Sequence, residues 1–262
     1  MLRALYTAAT GMEAQQINID TIANNIANVN TTGFKQARAE FQDLLYQNVR
    51  PAGTAASTST EYPTGLQVGL GSRPVATTRI YRQGDFRQTG NPLDLVIEGK
   101  GFFQVRLPSG ETAYTRDGSL HLSKDGTLVT ADGDPLEPQI TIPTDAQEIV
   151  IASDGTVSIT QSGQSTAQQV GTLQIASFQN PSGLSGVGRN LLMATTASGD
   201  PVPGNPGENG LGRINQGFLE QSNVNVVEEM VNMIIAQRAY EVNSRAVRVA
   251  DDMLSQINNL VR

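Results

Sequence analysis

The sequence predicts a mixed α and β fold, in which long N- and C-terminal helices form a coiled-coil-like pair and the middle of the chain is an antiparallel all-β domain. This prediction depends on a heptad repeat near the N-terminus, an apolar stripe with helical spacing near the C-terminus, and repeated Asp-Gly turns between them. The expected segments are an N-terminal helix with the start of a connector at 1–45, an insert at 46–63, the β-rich domain at 64–222 and a C-terminal helix at 223–262.

The N-terminal helix is predicted from two series of residues spaced seven apart, offset from each other by three. The two series are Leu5, Met12, Ile19 and Ile26, and then Ala8, Gln15, Ile22 and Val29. This is an a/d pattern over four heptads, and Gly33 supplies a natural stop after it. The helical texture extends over residues 1–45. The same pattern also fits a surface helix that packs on its own domain, and the period alone does not choose between the two.

The C-terminal helix begins with a capping signature, in which Asn225 accepts from first-turn amides and Glu228 reaches back. Its apolar stripe has the period of a nearly straight helix, about 3.6 residues. The stripe consists of Val231, Ile235, Ala239, Val242, Ala246, Val249, Met253, Ile257 and Leu260. Globular helices average about 11–12 residues, so helices this long are difficult to explain as ordinary core elements.

The middle region is marked by four Asp-Gly pairs, which are strong hairpin signals. They begin at Asp117, Asp125, Asp132 and Asp154. Short apolar or alternating runs flank them, and these predict the strands 94–97, 102–105, 119–123, 127–130, 148–152 and 173–178. Short strands joined by tight turns indicate an antiparallel all-β module. The insert at 46–63 is rich in Ala, Ser and Thr, so we expect it to be a loop when considered alone.

The composition excludes several classes of protein. The chain has no cysteine and a single histidine, which rules out a disulfide framework, a thiolate metal site and a two-histidine metal site. A net charge of −7 argues against nucleic-acid binding, because phosphate recognition needs clustered basic residues. No apolar run approaches the ~20 residues of a membrane span, so we expect a chain that is not inserted in a membrane. The first residues lack the apolar core of a secretory signal.

A search for catalytic sets favours a protein that is not an enzyme and has no cofactor. His121 would share a strand face with Ser119 and Ser123, but a surface histidine on a hairpin is the commoner arrangement. Asp94 and Glu98 flank a predicted strand, where charges are ordinary. The glycines around Lys100 lack the spacing of a phosphate-binding loop and indicate a turn that enters a strand.

Four stretches of sequence closely resemble the axial proteins of the bacterial flagellar rod and hook. They are residues 22–35 (IANNIANVNTTGFK), residues 217–247 (GFLEQSNVNVVEEMVNMIIAQRAYEVNSRAV), and a middle pair at 83–105 and 113–119. Further motifs and the length of the chain point to the distal-rod branch of this family. These motifs are FQDLLYQ at 41–47, GLQVG at 65–69 and RPVAT at 73–77. The resemblance covers nearly the whole chain.

The resemblance implies a structural subunit that is exported through the flagellar type III apparatus without a cleaved signal and polymerises as a helical tube around a central channel. It implies a location in the basal-body rod that crosses the periplasm. The implied partners are other copies of the chain, other rod proteins, the hook protein and the surrounding ring proteins. The insert at 46–63 is then associated with the stiffness of the rod, because an ordered loop wedged between subunits blocks sliding.

The end helices carry the expected self-assembly residues. On the first helix they are Leu5, Met12, Ile19, Ile22, Ile26 and Val29; on the second they are Val231, Ile235, Val242, Val249, Met253, Ile257 and Leu260. Phe41 and Leu45 fit a loose pattern for recognition at the export gate. Asn24, Asn25, Asn28 and Asn30 either fray and cap the helix or bond to the backbone of a neighbouring subunit. The alternatives are a sister rod or hook-type subunit, and a secreted β-rich binding module with a helical dimerisation stalk.

Overall fold

The structure is a computed structural model that describes residues 2–57, 60–161 and 167–260. The chain divides into two compact units. The helical unit comprises Met1–Ala27, Ala37–Thr78 and Asn225–Arg262, and the β unit comprises Asn28–Gln36 and Arg79–Val224. The predicted combination of two terminal helices with an antiparallel β-rich middle is confirmed.

Two helices account for the chain ends: α1 spans Leu2–Ala27 and α2 spans Val226–Leu260. The predicted cap at Asn225 is confirmed, because its Oδ1 accepts hydrogen bonds from the backbone N–H groups of Val227 and Glu228. The prediction of helical structure through residue 45 is wrong. Helix α1 ends at Ala27, and a turn that holds Val29 follows it. Asparagine is a poor helix former, and Asn28 and Asn30 lie at this end.

The described residues of 37–79 form six strands. They are β1 (Ala37–Asp43), β2 (Tyr46–Arg50), β3 (Ala55–Ser57), β4 (Thr60–Glu61), β5 (Leu66–Gly69) and β6 (Ser72–Arg79). Strand β1 pairs with β6, β2 pairs with β5, and β3 pairs with β4. The expectation of a loop at 46–63 is therefore wrong. In the described residues of 46–69, β2 pairs with β5 and β3 with β4 to form a two-stranded ribbon, because this pairing satisfies backbone N–H and C=O groups of the strands.

Sixteen strands follow in the described part of the β unit. They are β7 (Phe86–Gln88), β8 (Leu95–Glu98), β9 (Phe102–Arg106), β10 (Thr112–Thr115), β11 (His121–Leu122), β12 (Leu128–Val129), β13 (Leu136–Glu137), β14 (Ala146–Ile151), β15 (Thr156–Gln161), β16 (Gln168–Thr172), β17 (Ile175–Ser177), β18 (Ser185–Gly188), β19 (Leu191–Met193), β20 (Val202–Gly204), β21 (Arg213–Gln216) and β22 (Phe218–Glu220). A 3₁₀ turn occupies Pro181–Gly183.

The largest sheet of the β unit has the path β18-β19-β10-β9-β17-β20, and β13 also pairs with β9. Successive side chains of a strand point to opposite faces, so Phe102 and Phe103 on β9 enter two different apolar clusters. Phe103 lies in the larger cluster with Leu95 and Ile97. Phe102 packs edge-on against Phe178, with ring centroids 5.8 Å apart. The β unit therefore has a core of its own.

Three of the four Asp-Gly pairs lie in the turns that the sequence predicts. The pairs at 125, 132 and 154 join β11 to β12, β12 to β13 and β14 to β15, with their glycines at positive φ. The pair at 117 does not form a hairpin. Gly118 lies so close to the carbonyl oxygen of Leu95 that no side chain fits there, and close approach rather than turn geometry explains this glycine.

Candidate assembly site

Helices α1 and α2 contact each other within the helical unit. Near one end of the contact, Asn25 Nδ2 lies 3.2 Å from Glu229 Oε2. Near the other end, a Cβ built on Gly11 lies 2.8 Å from Asn243 Nδ2. Gly11 and Asn25 are two heptads apart on α1, and Glu229 and Asn243 are two heptads apart on α2. The helices are therefore antiparallel along this contact, in a register that both pairs share.

The covered face of α2 carries small and polar residues. Glu229, Ala236 and Ala250 are buried, and Asn243 between them is half-buried. These four residues follow each other at intervals of seven. Sequence reasoning missed this face, because small and polar residues give no apolar signal. The heptad spacing from Glu229 to Ala250 was the available clue.

The predicted apolar stripe of α2 consists of residues other than those of the covered face. Five of its large side chains are between 46% and 61% exposed, namely Val231, Ile235, Val242, Val249 and Met253. We call these five residues the exposed stripe. The side chains of Ile257 and Leu260, which belong to the same prediction, lie outside the described residues. The strongest apolar signal of the C-terminal helix is thus a surface that its own chain leaves exposed.

The predicted residues of α1 are more covered than those of α2. Ile22 is only 5% exposed. Leu5, Met12, Ile19 and Ile26 are half-buried, as is Val29 in the turn after the helix. A second side of α1 also meets its own unit, because Gly71 approaches Thr7 and Thr10. Two sides of α1 therefore pack within its own unit.

Asn25 joins three elements of the helical unit with one side chain. Its Oδ1 accepts from the backbone N–H of Ala37, and its Nδ2 donates to the backbone oxygen of Ala37 and to Glu229 Oε2, at 2.9, 2.8 and 3.2 Å. Both Asn25 and Glu229 are almost fully buried. This is neither of the two roles considered for these asparagines: Asn25 bonds to the backbone of its own chain, at a strand that follows the helix.

A buried ionic cluster of Lys35, Arg116 and Glu220 lies in the β unit. Lys35 Nζ is 2.7 Å and Arg116 Nη1 is 3.4 Å from the Glu220 carboxylate. The backbone N–H of Gly84 also donates to Glu220 Oε1, at 3.0 Å. Lys35 makes a further bond to the backbone oxygen of Arg82. The cluster ties the segment 28–36 to the strands of the β unit, and sequence reasoning missed it because its members are far apart in the chain.

Burial dominates the electrostatics of the ionic cluster. Desolvation lowers the pKa of the Lys35 ammonium, and neighbouring Arg116 adds to this, while Glu220 opposes the shift. Desolvation also lowers the pKa of Arg116. Two buried cations thus share one carboxylate, and removal of that carboxylate leaves both charges without their counter-ion.

The ribbon, residues 46–57 and 60–69, exposes most of its large apolar side chains. Tyr46, Val49 and Leu66 are all at least half exposed. Arg50 lies over the ring of Tyr62, with 3.7 Å from its Cζ to the ring centroid. Several large apolar side chains of this segment are therefore in contact with solvent.

Phe41 and Leu45, the predicted export residues, lie next to the ribbon. Phe41 is on β1 and 39% exposed, and Leu45 lies between β1 and β2 and is 83% exposed. Both side chains are therefore accessible at least in part, but this geometry does not test their role, which stays a prediction.

The three residues considered for catalysis lie in or beside strands of the β unit. His121 is exposed on β11, opposite Val129. Glu98 accepts a hydrogen bond from Asn215, and Asp94 accepts one from Asn91. In the described part of the chain, no group of three His, Asp or Glu side chains could hold a metal ion. Neither helix, over the residues that the structure describes, has the length and apolar character of a membrane span.

Comparison with known proteins decides the family. Models for a flagella basal body rod protein, for the D1 domain of the flagellar hook protein FlgE/F/G and for the FlgEFG rod protein C-terminal region match residues 5–35, 96–159 and 215–260. The flagellar basal-body rod protein FlgG of Buchnera aphidicola (subsp. Schizaphis graminum) is 50% identical over 99% of this chain and all of its own. The same protein of Borreliella burgdorferi is 49% identical over the whole of both chains. The chain belongs to the FlgG family of flagellar basal-body rod proteins.

The ionic cluster joins residues from all three segments that the family models match. Its three residues come one from each matched segment, with Lys35 in the first, Arg116 in the second and Glu220 in the third. The FlgG protein of Caulobacter vibrioides is 48% identical over 99% of both chains. The predicted identification with the distal-rod branch of the flagellar axial proteins is thus confirmed, and the chain is a structural protein of the flagellar basal body.

Proposed function

We propose that the chain polymerises into the hollow distal rod of the bacterial flagellum, a drive shaft that transmits torque from motor to hook and encloses the export channel. The observation that carries this proposal is the exposed stripe of α2. Five large apolar side chains along one helix remain in solvent, in a unit whose buried residues are mostly small or polar. Burial of apolar surface yields about 25 cal/mol per Å², so a partner that covers the stripe gains binding free energy along its whole length.

Further large side chains widen the apolar surface of α2. Val227, Met230 and Ile234 are also more than half exposed. Contiguous apolar surface of this kind marks an interaction site rather than ordinary solvent contact. In the proposed polymer, α1 and α2 form a coiled-coil-like pair in the inner layer around the channel. The exposed stripe of one subunit contacts the helices of its neighbours, and the β unit provides the outer part of the rod.

Electron microscopy of the purified chain, concentrated at neutral pH, tests this proposal. We expect straight tubes of uniform diameter, and analytical ultracentrifugation should show growth beyond small oligomers. The different-class alternative, a secreted binding module with a helical dimerisation stalk, gives discrete dimers in both measurements. Discrete particles at every concentration, also in the presence of short rod fragments as templates, would contradict polymerisation.

The ribbon has a separate role in the proposal, namely to stiffen the rod. Its exposed apolar side chains pack between neighbouring subunits and prevent the sliding that allows a tube to bend. Deletion of residues 46–63 should give a polymer that curves in electron micrographs. The matched control replaces 46–63 by a Gly/Ser segment of equal length, and it should curve in the same way. A straight polymer from both variants would exclude this role.

The proposal also assigns partners. They are further copies of the chain, the other rod proteins, the hook protein and the ring proteins that surround the rod, with a place in the basal body across the periplasm. No nucleic acid, cofactor or catalytic reaction is part of it. Among these partners, the exposed stripe most directly supports contact with a neighbouring copy of the chain.

Export through the type III apparatus is proposed to use Phe41 and Leu45. We expect Phe41→Ala to reduce secretion of the chain into the culture medium of a rod-cap mutant at least several-fold. Phe86→Ala is the matched control, because Phe86 is a phenylalanine of nearly equal exposure on β7, at 40% against 39%. Equal secretion of both variants would remove Phe41 from the recognition element.

A further inference from the structure

We propose that Asn25 selects the register of α1 against α2 and so fixes where the exposed stripe is presented along the subunit. The second half of this statement rests on the proposed function, whereas the register itself is a property of the single chain. Asn25 is a positioning residue in this view, since it acts through the placement of α2 and has no contact with the stripe.

The geometry around Asn25 leaves little freedom. Its side-chain amide closes a pair of hydrogen bonds with the backbone of Ala37 and adds a third bond to Glu229. The amide is 1% exposed, and the glutamate is 2% exposed. Glu229 meets the amide only in the observed register. A shift of α2 removes the carboxylate from this position and leaves a buried amide hydrogen without that acceptor, which is unfavourable.

The rest of the contact discriminates poorly between registers. The covered face of α2 continues from Glu229 through Ala236, Asn243 and Ala250, one residue per heptad. A shift by one heptad exchanges an alanine for an asparagine in the middle of the contact, with small side chains on either side. Gly11 on α1 accepts either residue, because it has no side chain of its own. A single buried polar residue is known to specify register in helix pairs at some cost in stability.

Register matters because the stripe moves with the helix. A slip of one heptad displaces α2 by about 10 Å along α1. The stripe then stands one heptad away from its position in correctly packed subunits. Subunits in mixed registers present stripes at different heights, and they do not fit one helical lattice.

Disulfide formation in the monomeric chain tests the register directly, since the sequence contains no cysteine. The reporter for the native register is the pair Gly11→Cys and Asn243→Cys, because a Cβ at Gly11 lies 3.3 Å from Asn243 Cγ. The reporters for a slipped register combine Gly11→Cys with Ala236→Cys or with Ala250→Cys. Each reporter is oxidised in the otherwise unchanged chain and together with Asn25→Leu, at concentrations too low for polymerisation.

We expect the unchanged chain to form the native disulfide at least tenfold faster than either slipped one. Asn25→Leu should reduce this preference to within about threefold, with slipped disulfides appearing while helical circular dichroism is retained. Gln16→Leu is the matched control: Gln16 is an exposed amide side chain of the same helix, and the preference should persist. If Asn25→Leu fails to fold, Glu229→Ala keeps both bonds of Asn25 to Ala37, removes the carboxylate that Asn25 meets on α2, and should give the same loss of preference.

Two results would overturn the inference. One is an unchanged native preference in both Asn25→Leu and Glu229→Ala. The other is loss of the native disulfide without any slipped one, which shows that Asn25 holds the helices together without selecting their register. Neither result depends on polymerisation, so failure of the register inference and failure of the proposed rod function are separate outcomes.

Discussion

The β unit and the helical unit use apolar residues in opposite ways. In the β unit, large side chains such as Leu95, Ile97 and Phe103 are fully buried in a continuous core. In the helical unit, the most buried positions of α2 are alanines and a glutamate, while valines and isoleucines of the same helix are exposed. The β unit thus buries its large apolar side chains in its own core. The helical unit leaves a large part of its apolar surface exposed.

The largest expected effect concerns the ionic cluster of the β unit. Glu220→Gln removes the counter-ion of Lys35 and Arg116, and breaking a buried ion pair from one side costs about 3–5 kcal/mol. We expect the urea midpoint of the β unit, followed by near-ultraviolet circular dichroism of its tyrosines, to fall accordingly.

Glu98→Gln is the control for Glu220→Gln. Glu98 lies on β8, is exposed, and accepts a hydrogen bond from Asn215, so its neutralisation should change stability by about 0.5 kcal/mol or less. Equal losses for the two variants would mean that the cluster contributes no more than a surface hydrogen bond.

The next prediction distinguishes a buried position of α1 from an exposed position of α2. Ile22→Asp places a charge at a buried position of α1, and we expect it to destabilise the helical unit by about 3 kcal/mol or more. Val242→Asp places the same charge on the exposed stripe. It should change the stability of the monomer by only about 0.5 kcal/mol and yet prevent polymerisation. Helical circular dichroism of the monomer and filament counts in electron micrographs measure the two effects.

Val202→Asp serves as the control for Val242→Asp. Val202 lies on β20 in the β unit and is 61% exposed, against 57% for Val242. If both variants polymerise normally, the exposed stripe is not an assembly surface. If Val242→Asp already melts the monomer helix, the stripe is covered within the chain, and the contrast between the two units fails.

A smaller effect tests the covered face of α2. Ala236→Leu forces extra volume into the contact with α1, and overpacking costs about 1–3 kcal/mol. Ala246→Leu introduces the same side chain at an exposed position of the same helix and should be nearly neutral. Thermal unfolding followed at 222 nm compares the two. A stable Ala236→Leu variant would show that the helices contact each other less closely than described.

Local features of the fold were predictable from sequence, and long-range ones were not. The cap at Asn225 and the turn at Asp125 depend on neighbouring residues only, and both are confirmed. Periodicity identified apolar faces but could not say which face is covered, because Ile22 and Val242 give the same signal. Burial separates them only in the folded chain.

The buried polar contacts of Lys35 and Asn25 could not be predicted from the sequence, because they join distant parts of the chain. Lys35 meets Glu220 across 185 residues, and Asn25 meets Glu229 across 204 residues. No single-sequence pattern links residues at such distances. The ribbon was missed in a similar way, since the strand at Tyr46–Arg50 exists through its pairing with Leu66–Gly69 rather than through any strong propensity of its own.

The smallest expected effect is the acid response of one hairpin in the β unit. Asp154 accepts a backbone hydrogen bond from Thr156 N at 2.9 Å, and this bond lowers the pKa of its carboxyl. A carboxyl with a lower pKa in the folded chain contributes stability that is complete above its ordinary pKa and disappears as pH falls through the lowered value. Asp154→Asn keeps the acceptor and abolishes this titration. The urea midpoint of the β unit should therefore fall slightly more steeply between pH 5 and pH 2 in the unchanged chain than in Asp154→Asn. The midpoint of the helical unit should respond equally in both chains. Parallel pH curves for the β unit would mean that the hydrogen bond is not kept in solution.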